Sequence, residues 1–296
     1  MPKLTDVIII GAGPAGVTGA MYTARSGLST TIIYKDHGAL KQDPMVDNFY
    51  GHLEITGKKL INIGIEQARN VGTVVTKDEV LGIVQNPDNT ITVTTAKKER
   101  LARAVMIATG ASRTTPPIKG LAQLEGRGVS YCAICDGFFH KGKNVAVIGS
   151  GAYALHEAQD LLPIAKTVTV LTDGKKPTVT FPKNVIVKTA KIQEVCGQSG
   201  IMGATLKSVV LSSGEEVLLS GLFVALGVAG GVELARKLGA TIEGSAVVVD
   251  NDMETSVQNI WAAGDCVGGL KQIAKATCDG AIAGLSIIKR LKAQAE

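Results

Sequence analysis

The chain has 296 residues, of which 45% are hydrophobic and 4% aromatic, and it contains 35 glycines. This length allows about two domains, and the composition is typical of buried parallel strands joined by tight turns. The net charge of +5 comes from scattered lysines, which argues against nucleic-acid binding. No apolar run approaches the roughly 20 residues of a membrane span, and no secretory signal precedes the first strand. We therefore expect a cytoplasmic protein without a membrane partner.

Strand and helix patterns alternate along the first part of the chain. Residues 6–10 predict a buried strand, residues 15–26 a helix of small side chains, and residues 30–34 a second strand. A further short strand is predicted over residues 105–108. The segment 114–117 then ends in two prolines, which neither a helix nor a central strand tolerates.

A second cycle of the same kind follows. Residues 144–148 predict a strand, residues 149–154 a glycine-rich turn, residues 155–162 a helix and residues 167–171 another strand. The last predicted element is an amphipathic helix over residues 273–291.

The repeated strand–turn–helix–strand device indicates an α/β fold with two Rossmann-like dinucleotide-binding domains. Each is expected to have the three-layer ββα arrangement, with one domain inserted in the other. The predicted bounds are 1–115 with 231–296 for a discontinuous flavin-type domain and 116–230 for an NAD(P)H-type domain. The glycine-rich segment 227–231 and the segment 114–117 are candidate hinges between them.

The first glycine turn predicts a site for a dinucleotide. Gly11 allows the sharp turn, Gly13 lets phosphate approach the backbone, and Gly16 lets helix and strand pack closely. An acid for the ribose is absent at Tyr34, where the strand ends, and Asp36 is the nearest candidate. The alternative is a tight turn without a ligand. The residues predicted to surround the pyrophosphate are Gly11, Gly13, Pro14, Ala15 and Gly16.

A second glycine turn contains Gly149, Gly151 and Ala154. The segment 172–177, which follows the next strand, lacks the arginines that usually hold the 2′-phosphate of NADPH. Asp173 would repel a phosphate but could accept a hydrogen bond from a free ribose hydroxyl. The alternative is a fold element whose nucleotide site has been lost or re-used.

The segment Cys132-Ala133-Ile134-Cys135-Asp136-Gly137 predicts a redox-active disulfide with an adjacent proton carrier, Asp136. A structural zinc site would need further ligands, and the four histidines show no ligand spacing, so we expect no metal. A pair of inert core cysteines is the other alternative. The remaining cysteines, Cys196, Cys266 and Cys278, are expected to be small core residues.

Over nearly its whole length the chain resembles the low-molecular-weight thioredoxin reductases, which are flavoprotein disulfide reductases. The Cys132–Gly137 segment is the most specific match. The others are the first glycine turn, the strand end Ala108-Thr109-Gly110, and Gly264-Asp265 with the segment 271–274 that follows it.

The resemblance implies FAD in the discontinuous domain, a homodimer, and thioredoxin or a similar small disulfide protein as partner. It also implies that Cys132 attacks the partner disulfide, that Cys135 resolves the mixed disulfide, and that Asp136 protonates the leaving thiolate. Besides the first turn, the residues it assigns to the flavin are Asp36, Asn48, Ala108, Thr109, Gly110, Gly264, Asp265, Lys271, Gln272 and Ile273.

Departures from the family pattern concentrate on the nicotinamide side. Three lie there, namely the missing arginines of 172–177, the absence of proline in 227–230, and the bulky Tyr153 in the second turn, whereas the replaced segment 39–42 follows the second strand of the flavin-type domain. The pattern is similar to that of relatives that do not use NADPH, namely the ferredoxin-dependent flavin thioredoxin reductases and the diflavin-linked disulfide oxidoreductases.

We therefore expect an FAD-dependent disulfide reductase whose electron donor is ferredoxin or a second FAD rather than NADPH. One alternative is an ordinary NAD(P)H-dependent thioredoxin reductase, and another is an oxygen-dependent dithiol oxidase. A non-enzymatic flavin- or nucleotide-binding module is a third, but it would have no use for the cysteine pair.

Overall fold

The structure, a computed structural model, describes residues 3–42, 44–111, 116–199, 203–226 and 230–294, without the side chains of Gln42 and Cys135. The chain divides into two compact units. One comprises Met1–Ser112 and Gly230–Glu296, and the other comprises Arg113–Ala229. We call them the discontinuous unit and the middle unit. The candidate hinges at 114–117 and 227–231 lie largely outside the described residues.

The first segment of the discontinuous unit alternates strands and helices. Its elements are β1 (Leu4–Ile10), α1 (Pro14–Arg25), β2 (Thr30–Tyr34), β3 (Met45–Val46), β4 (Ile55–Thr56), α2 (Gly57–Asn70), β5 (Val74–Lys77), β6 (Val80–Gln85), β7 (Ile91–Thr95) and β8 (Glu99–Ile107).

The middle unit carries the second cycle and a small antiparallel sheet. Its elements are β9 (Val129–Ser130), α3 (Ala133–Asp136), β10 (Asn144–Ile148), α4 (Ala152–Leu161), β11 (Thr167–Leu171), β12 (Val185–Lys188), β13 (Ile192–Gln198), β14 (Thr205–Leu211), β15 (Glu216–Leu218) and β16 (Gly221–Val224).

The last segment returns to the discontinuous unit. Its elements are α5 (Gly231–Lys237), β17 (Ile242–Glu243), β18 (Ala246–Val247), β19 (Ile260–Ala262) and α6 (Ile273–Ala293). Short 3-10 helices cover Gly38–Gln42, Ala122–Leu124, Gly137–His140 and Asp265–Val267.

The discontinuous unit is built on a seven-stranded sheet in the order β5-β2-β1-β8-β7-β6, with β19 also paired to β8. β1 is parallel to both of its neighbours, so that Ile10 stands in register with Ile33 and with Ile107. The strand is apolar on both faces from Val7 to Ile10 because both faces are covered. Three parallel strands therefore end at one edge, where the first glycine turn begins.

Small residues bring α1 and α6 into close contact on one face of this sheet. A Cβ atom added to Gly280 would lie 2.2 Å from the carbonyl oxygen of Ala15, so only glycine permits this approach. The core beneath the helices includes Met106 and the single tryptophan, Trp261, which is fully buried. The Trp261 indole N–H donates to Ser286 Oγ at 3.0 Å.

The middle unit has a five-stranded sheet in the order β12-β11-β10-β16-β9, and all of its pairings are parallel. β13, β14 and β15 form a separate antiparallel sheet. In the parallel sheet, β10 ends at the second glycine turn and β9 ends at the cysteine pair. Both candidate elements therefore lie at the carboxyl edge of one sheet, where α/β proteins place their ligand sites.

The predicted α/β class with Rossmann-like sheets is confirmed, and the strands at 30–34, 144–148 and 167–171 have their predicted bounds. Other bounds differ from those predicted, by one to three residues at β1, α1, α4 and α6 and by six residues at the start of β8. β8 begins at Glu99, since its first half pairs with β7. α4 begins at Ala152 rather than residue 155, because Gly151 already serves as its N-cap. None of the described helices has both the length and the apolar character to cross a bilayer.

Candidate active site

The first glycine turn fits tightly against the end of β8. The Ala108 N–H donates to the Ile10 carbonyl at 2.8 Å. A Cβ atom on Gly11, whose φ is +116°, would lie 2.2 Å from the Ala108 carbonyl oxygen, and one on Gly16 would lie 2.0 Å from that of Gly11. Glycine is required at both positions, because backbone atoms occupy the space of any side chain.

Gly13, in contrast, faces open space. Among the described residues, no atom lies within 4 Å of a Cβ placed there, and no side chain caps α1. Pro14 opens the helix without an N–H of its own, and the first turn carries no acid. The free N–H groups and the positive end of the helix dipole are therefore available to an anion in this space.

Gly264 and Asp265 lie beside this turn, although some 250 residues separate them from it in sequence. Gly264 has a φ of +83°, and a Cβ atom there would lie 3.0 Å from the Cβ of Ala15. Asp265 begins a 3-10 helix and is half-buried. The structure thus brings together three of the predicted flavin motifs, since Ala108 adjoins Gly11.

Two residues of α6 that the sequence analysis missed hold the Gly264 segment. Asp279 Oδ2 accepts hydrogen bonds from the Gly264 N–H at 3.0 Å and from Lys275 Nζ at 2.6 Å. Lys275 also donates to the carbonyls of Gly264 and Gly268 at 3.3 and 3.0 Å. Asp279 is buried, and a buried acid on the apolar face of a predicted helix was the signal that could have found it.

Asn48 and Gln272, both assigned to the flavin ring by resemblance, are in contact. Asn48 Nδ2 donates to Gln272 Oε1 at 3.2 Å across 224 residues of sequence. Gln272 is the N-cap residue of α6, Ile273 begins the helix, and Lys271 is exposed just before it. These four residues lie around one helix N-terminus, whose dipole favours negative charge.

Three further residues assigned to the flavin, Thr109, Gly110 and Asp36, differ from one another in their hydrogen bonding and backbone conformation. Thr109 Oγ1 is buried and has no hydrogen-bond partner in the part of the chain that the structure describes, and Gly110 has a φ of +79°. Asp36 accepts from the Gly38 N–H at 2.9 Å and from Lys41 Nζ at 3.2 Å. Burial raises the pKa of Asp36, but these two donors outweigh it and hold the pKa below its ordinary value.

These observations fit a dinucleotide cofactor in the discontinuous unit. The open space at Gly13, the uncapped α1 and the unpartnered Thr109 hydroxyl offer donors to an anionic, hydroxyl-bearing ligand.

The second glycine turn differs because the chain itself covers it. The Thr178 N–H and hydroxyl both donate to the Ser150 carbonyl, at 2.8 and 3.2 Å. A Cβ atom on Gly151 would lie 3.4 Å from Thr178 Oγ1, so this glycine does not face open space. Gly149 still packs closely, because a Cβ atom added to it would lie 2.6 Å from the Cβ of Ala154.

The predicted ribose acid of this turn is engaged elsewhere. Asp173 has a φ of +51°, and its Oδ1 accepts from the Ile192 N–H at 2.8 Å. The structure therefore brings Gly149, Gly151 and Ala154 together and ties the Asp173 carboxylate to the start of β13.

The cysteine pair follows the short strand β9. Cys132 lies between β9 and α3, is 1% exposed, and is disulfide-bonded. Cys135 lies within α3.

The other three cysteines are free. Cys266 is buried, and burial raises the pKa of its thiol to about 12. Cys278 is exposed, so its predicted place in the core was wrong.

Ser130 connects the cysteine pair to Asp136. The Ser130 hydroxyl donates to Asp136 Oδ2 at 2.6 Å, and the Cys132 N–H donates to Ser130 Oγ at 3.1 Å. His140 lies in the same region, with its Nδ1 3.1 Å from Ser220 Oγ. Burial and the charge of Lys143 lower the pKa of His140 against the opposing charge of Asp136.

Glu157 is a third residue that the sequence analysis missed. It is 1% exposed, and its Oε2 accepts from the Ala133 N–H at 2.8 Å. The buried face of α4 consists of Tyr153, Ala154, Glu157, Ala158 and Leu161. An acid among these apolar positions was the available signal.

Apolar side chains are exposed beside the disulfide. Phe138 and Phe139 are 71% and 70% exposed, and Ile134, between the two cysteines, is 53% exposed. Exposed aromatic clusters of this kind mark interaction sites. No group of three metal-ligating side chains was found among the described residues.

The chain matches the pyridine nucleotide-disulphide oxidoreductase family over residues 5–280. It belongs to this family. It is therefore an oxidoreductase, and membership of the pyridine nucleotide-disulphide oxidoreductases implies a flavin cofactor. The predicted resemblance is confirmed at this level.

Relatives within the family agree with this placement. The thioredoxin reductase of Bacillus subtilis (strain 168) is 36% identical over 96% of this chain and 94% of its own length. The atypical thioredoxin reductase TRi from Desulfovibrio vulgaris Hildenborough is 36% identical, with a TM-score of 0.87 over 97% of this chain and 98% of that one. A ferredoxin-flavin thioredoxin reductase from Clostridium acetobutylicum is 28% identical, with a TM-score of 0.72 over 99% and 100%.

Proposed function

We propose that this oxidoreductase is an FAD-dependent disulfide reductase. Two electrons pass from the flavin to the Cys132–Cys135 disulfide and then to thioredoxin or a similar small protein. The observation that carries the proposal is a disulfide-bonded Cys132 held beside the Ser130–Asp136 pair. The thioredoxin reductases among its relatives support the choice of partner.

The discontinuous unit would hold FAD. The pyrophosphate would bind to the first turn of α1 next to Gly13, with Asp265 beside it and Asp36 towards a ribose. Asn48, Gln272 and Ile273 would contact the flavin ring at the start of α6. When bound, FAD supplies the electron pair for disulfide reduction.

Two electrons and two protons convert the Cys132–Cys135 disulfide and the Asp136 carboxylate into the Cys132 thiolate, the Cys135 thiol and a protonated Asp136. The Cys132 thiolate then attacks a sulfur of the partner disulfide, and the first partner sulfur leaves as a thiolate that Asp136 protonates. Cys135 then passes its proton to Asp136, and its thiolate attacks Cys132 Sγ, which restores the disulfide and releases the second partner sulfur to take up that proton. Because Cys132 is 1% exposed, it must become accessible before the partner step.

A small disulfide protein could dock on the apolar side chains around the cysteine pair. Phe138 and Phe139 follow Asp136 and Gly137 in the sequence and are strongly exposed. Docking there would remove aromatic surface from water next to the reacting sulfurs.

The proposed donor is not NADPH but ferredoxin or a second flavin. Thr178 covers the second glycine turn, the Asp173 carboxylate is bound to Ile192, and residues 172–177 contain no arginine. The first turn, by comparison, is open at Gly13. The likeness to a ferredoxin-flavin thioredoxin reductase supports the same conclusion, whereas the thioredoxin reductase relatives keep NADPH as the alternative.

An anaerobic titration of the flavin-loaded protein tests the donor. We expect no loss of oxidised-flavin absorbance with stoichiometric NADPH, and full loss with reduced ferredoxin or dithionite. An established NADPH-dependent disulfide reductase serves as the control for the NADPH stock. Rapid bleaching by NADPH would overturn the proposed donor and leave an ordinary thioredoxin reductase.

The disulfide chemistry is tested separately. We expect Cys135→Ser to abolish reduction of thioredoxin, with Cys278→Ser as the matched control at an exposed cysteine outside the pair. Intact reduction by Cys135→Ser would refute the proposal. Rapid oxygen consumption with a small dithiol, and no transfer to thioredoxin, would indicate a dithiol oxidase instead. The proposed homodimer is tested by light scattering.

A further inference from the structure

Two side chains of α4 bind the backbone on either side of Cys132. Tyr153 Oη donates to the carbonyl of Tyr131 at 3.3 Å, and Glu157 Oε2 accepts from the N–H of Ala133 at 2.8 Å. Tyr153 and Glu157 are one helical turn apart, so they leave the same face of the helix. Both are buried, at 2% and 1% exposure.

Cys132 itself is fixed from a third direction. Its N–H donates to Ser130 Oγ at 3.1 Å. Hydrogen bonds thus hold three successive residues, 131 to 133, and two of these bonds come from a helix whose own position is set by packing on β10 and β11. A site built on such elements is more exact than one on a loop alone.

The Glu157 carboxylate also lies next to the peptide group that joins Cys132 to Ala133, and Glu157 is only 1% exposed to solvent. Charges in such surroundings interact strongly because little solvent screens them. A negative charge opposes ionisation of a nearby thiol. It has no such effect on an uncharged disulfide, so it favours the oxidised form of the couple.

We propose that Tyr153 and Glu157 form a clamp that positions Cys132, and that the Glu157 carboxylate makes the reduced cysteine pair a stronger reductant. The proposal rests on the proposed function, because it takes Cys132 and Cys135 as the redox couple. Reduction of this couple takes up two electrons and two protons, of which Cys135 keeps one and Asp136 the other, and it leaves Cys132 as the thiolate that the Glu157 charge disfavours. A stronger reductant transfers these electrons more completely to a partner disulfide.

The clamp gives the second glycine turn a role other than nucleotide binding. Tyr153 lies in the first turn of α4, where a pyrophosphate would bind in a nucleotide-binding domain. Here the Tyr153 side chain in that turn instead donates to the Tyr131 carbonyl next to Cys132.

Glu157→Gln tests the charge, because glutamine keeps the size and the acceptor for the Ala133 N–H. The holoenzyme is equilibrated in thiol–disulfide buffers of known potential and quenched with acid. The state of the pair is then read by alkylation and mass spectrometry, independently of the flavin. We expect the equilibrium constant for reduction to rise about tenfold, which for a two-electron couple is about 30 mV. Glu194→Gln, which removes a partly exposed charge paired with Lys119, should leave the potential unchanged.

Tyr153→Phe tests positioning without a change of charge. We expect an unchanged potential but at least tenfold faster hydrogen exchange at the amides of residues 131 to 133. In the wild type, the Ala133 amide should exchange slowly, which can be measured even if the glutamine variant does not fold.

An unshifted potential in Glu157→Gln, or an equal shift in Glu194→Gln, would overturn the role of the charge. Rapid exchange of the wild-type Ala133 amide, or unchanged exchange in Tyr153→Phe, would overturn the clamp. A wild-type cysteine pair that never changes state in the buffers would instead overturn the proposed function. The two failures are therefore distinguishable.

Discussion

Ser130 is the side chain that fixes the proton carrier relative to the cysteine pair. Its hydroxyl donates to Asp136 and accepts from the Cys132 N–H, so a single buried group orients both. A general acid acts only from within hydrogen-bond reach of the atom that it protonates. The rate of exchange should therefore depend on Ser130 even though it carries no charge.

Ser130→Ala should slow thiol–disulfide exchange about tenfold, since a well-placed general acid contributes roughly 10²–10⁴-fold and this variant only misplaces it. The measurement is a single turnover of the chemically reduced protein with oxidised thioredoxin. Ser213→Ala, at an exposed serine of the same unit, is the control. Equal rates for Ser130→Ala and the wild type would show that Asp136 needs no such support.

His140 should make stability depend on pH. Burial and Lys143 lower its pKa from the ordinary value of 6.5, so below that value the unfolded chain binds a proton that the folded chain does not. Stability then falls with falling pH. We expect the denaturant midpoint to decrease between about pH 7 and pH 5, and to decrease less in His140→Gln.

If His140→Gln keeps the full pH dependence of the denaturant midpoint, groups other than His140 must cause that dependence. Asp6 affects stability in a lower pH range than His140 does. Burial raises its pKa, but Ser29 and Arg103 lower it on balance below 3.8, so its contribution is lost only in stronger acid.

At the scale of elements, α6 serves as the support of the predicted flavin site. Lys275 and Asp279, one turn apart, hold the Gly264–Gly268 segment, and Gln272 at the start of the helix holds Asn48. The helix thus fixes two segments that local sequence does not join.

Lys275→Met should destabilise the protein by about 3 kcal/mol, because it leaves the Asp279 carboxylate buried without its cation. We also expect weaker retention of FAD. Both are measured by urea unfolding and by flavin release on gel filtration. Lys289→Met, at an exposed site of the same helix, should have little effect. Comparable losses in the two variants would contradict a supporting role for Lys275.

The sequence predicted those elements whose determinants are local. Residues 30–34, 144–148 and 167–171 are β-branched runs bounded by turns, and they have their predicted bounds. β8 was predicted too short because its first half depends on pairing with β7, which no local pattern reveals.

The features of the candidate site also divide into those that local sequence reveals and those that depend on tertiary packing. The glycine turns and the cysteine pair are continuous motifs, whereas the contact of Glu157 with Ala133 depends on how α4 packs. The contact between Asn48 and Gln272 follows from the resemblance and from no local signal.

At the scale of the whole molecule, the two units differ in how their sequences are assembled. The middle unit is one continuous segment, 113–229, with its own parallel sheet and core. The discontinuous unit needs both ends of the chain, since β19 pairs with β8 and α6 packs on α1.

The fragment 113–229 should therefore fold alone, with a single cooperative urea transition by circular dichroism. The fragment 1–112 should not, because β8 would lose the pairing of Val105 to Ile107 with β19, and α1 would lose its cover. A cooperative transition in 1–112, or none in 113–229, would contradict this division.

Trp261 gives the protein a built-in optical signal. It is the single tryptophan of the chain, and it is fully buried in the discontinuous unit. Its emission should shift to the red when that unit unfolds, while unfolding of the middle unit leaves it unchanged. Fluorescence and circular dichroism, recorded on the same denaturation series, can therefore resolve the order in which the two units lose their structure without any label.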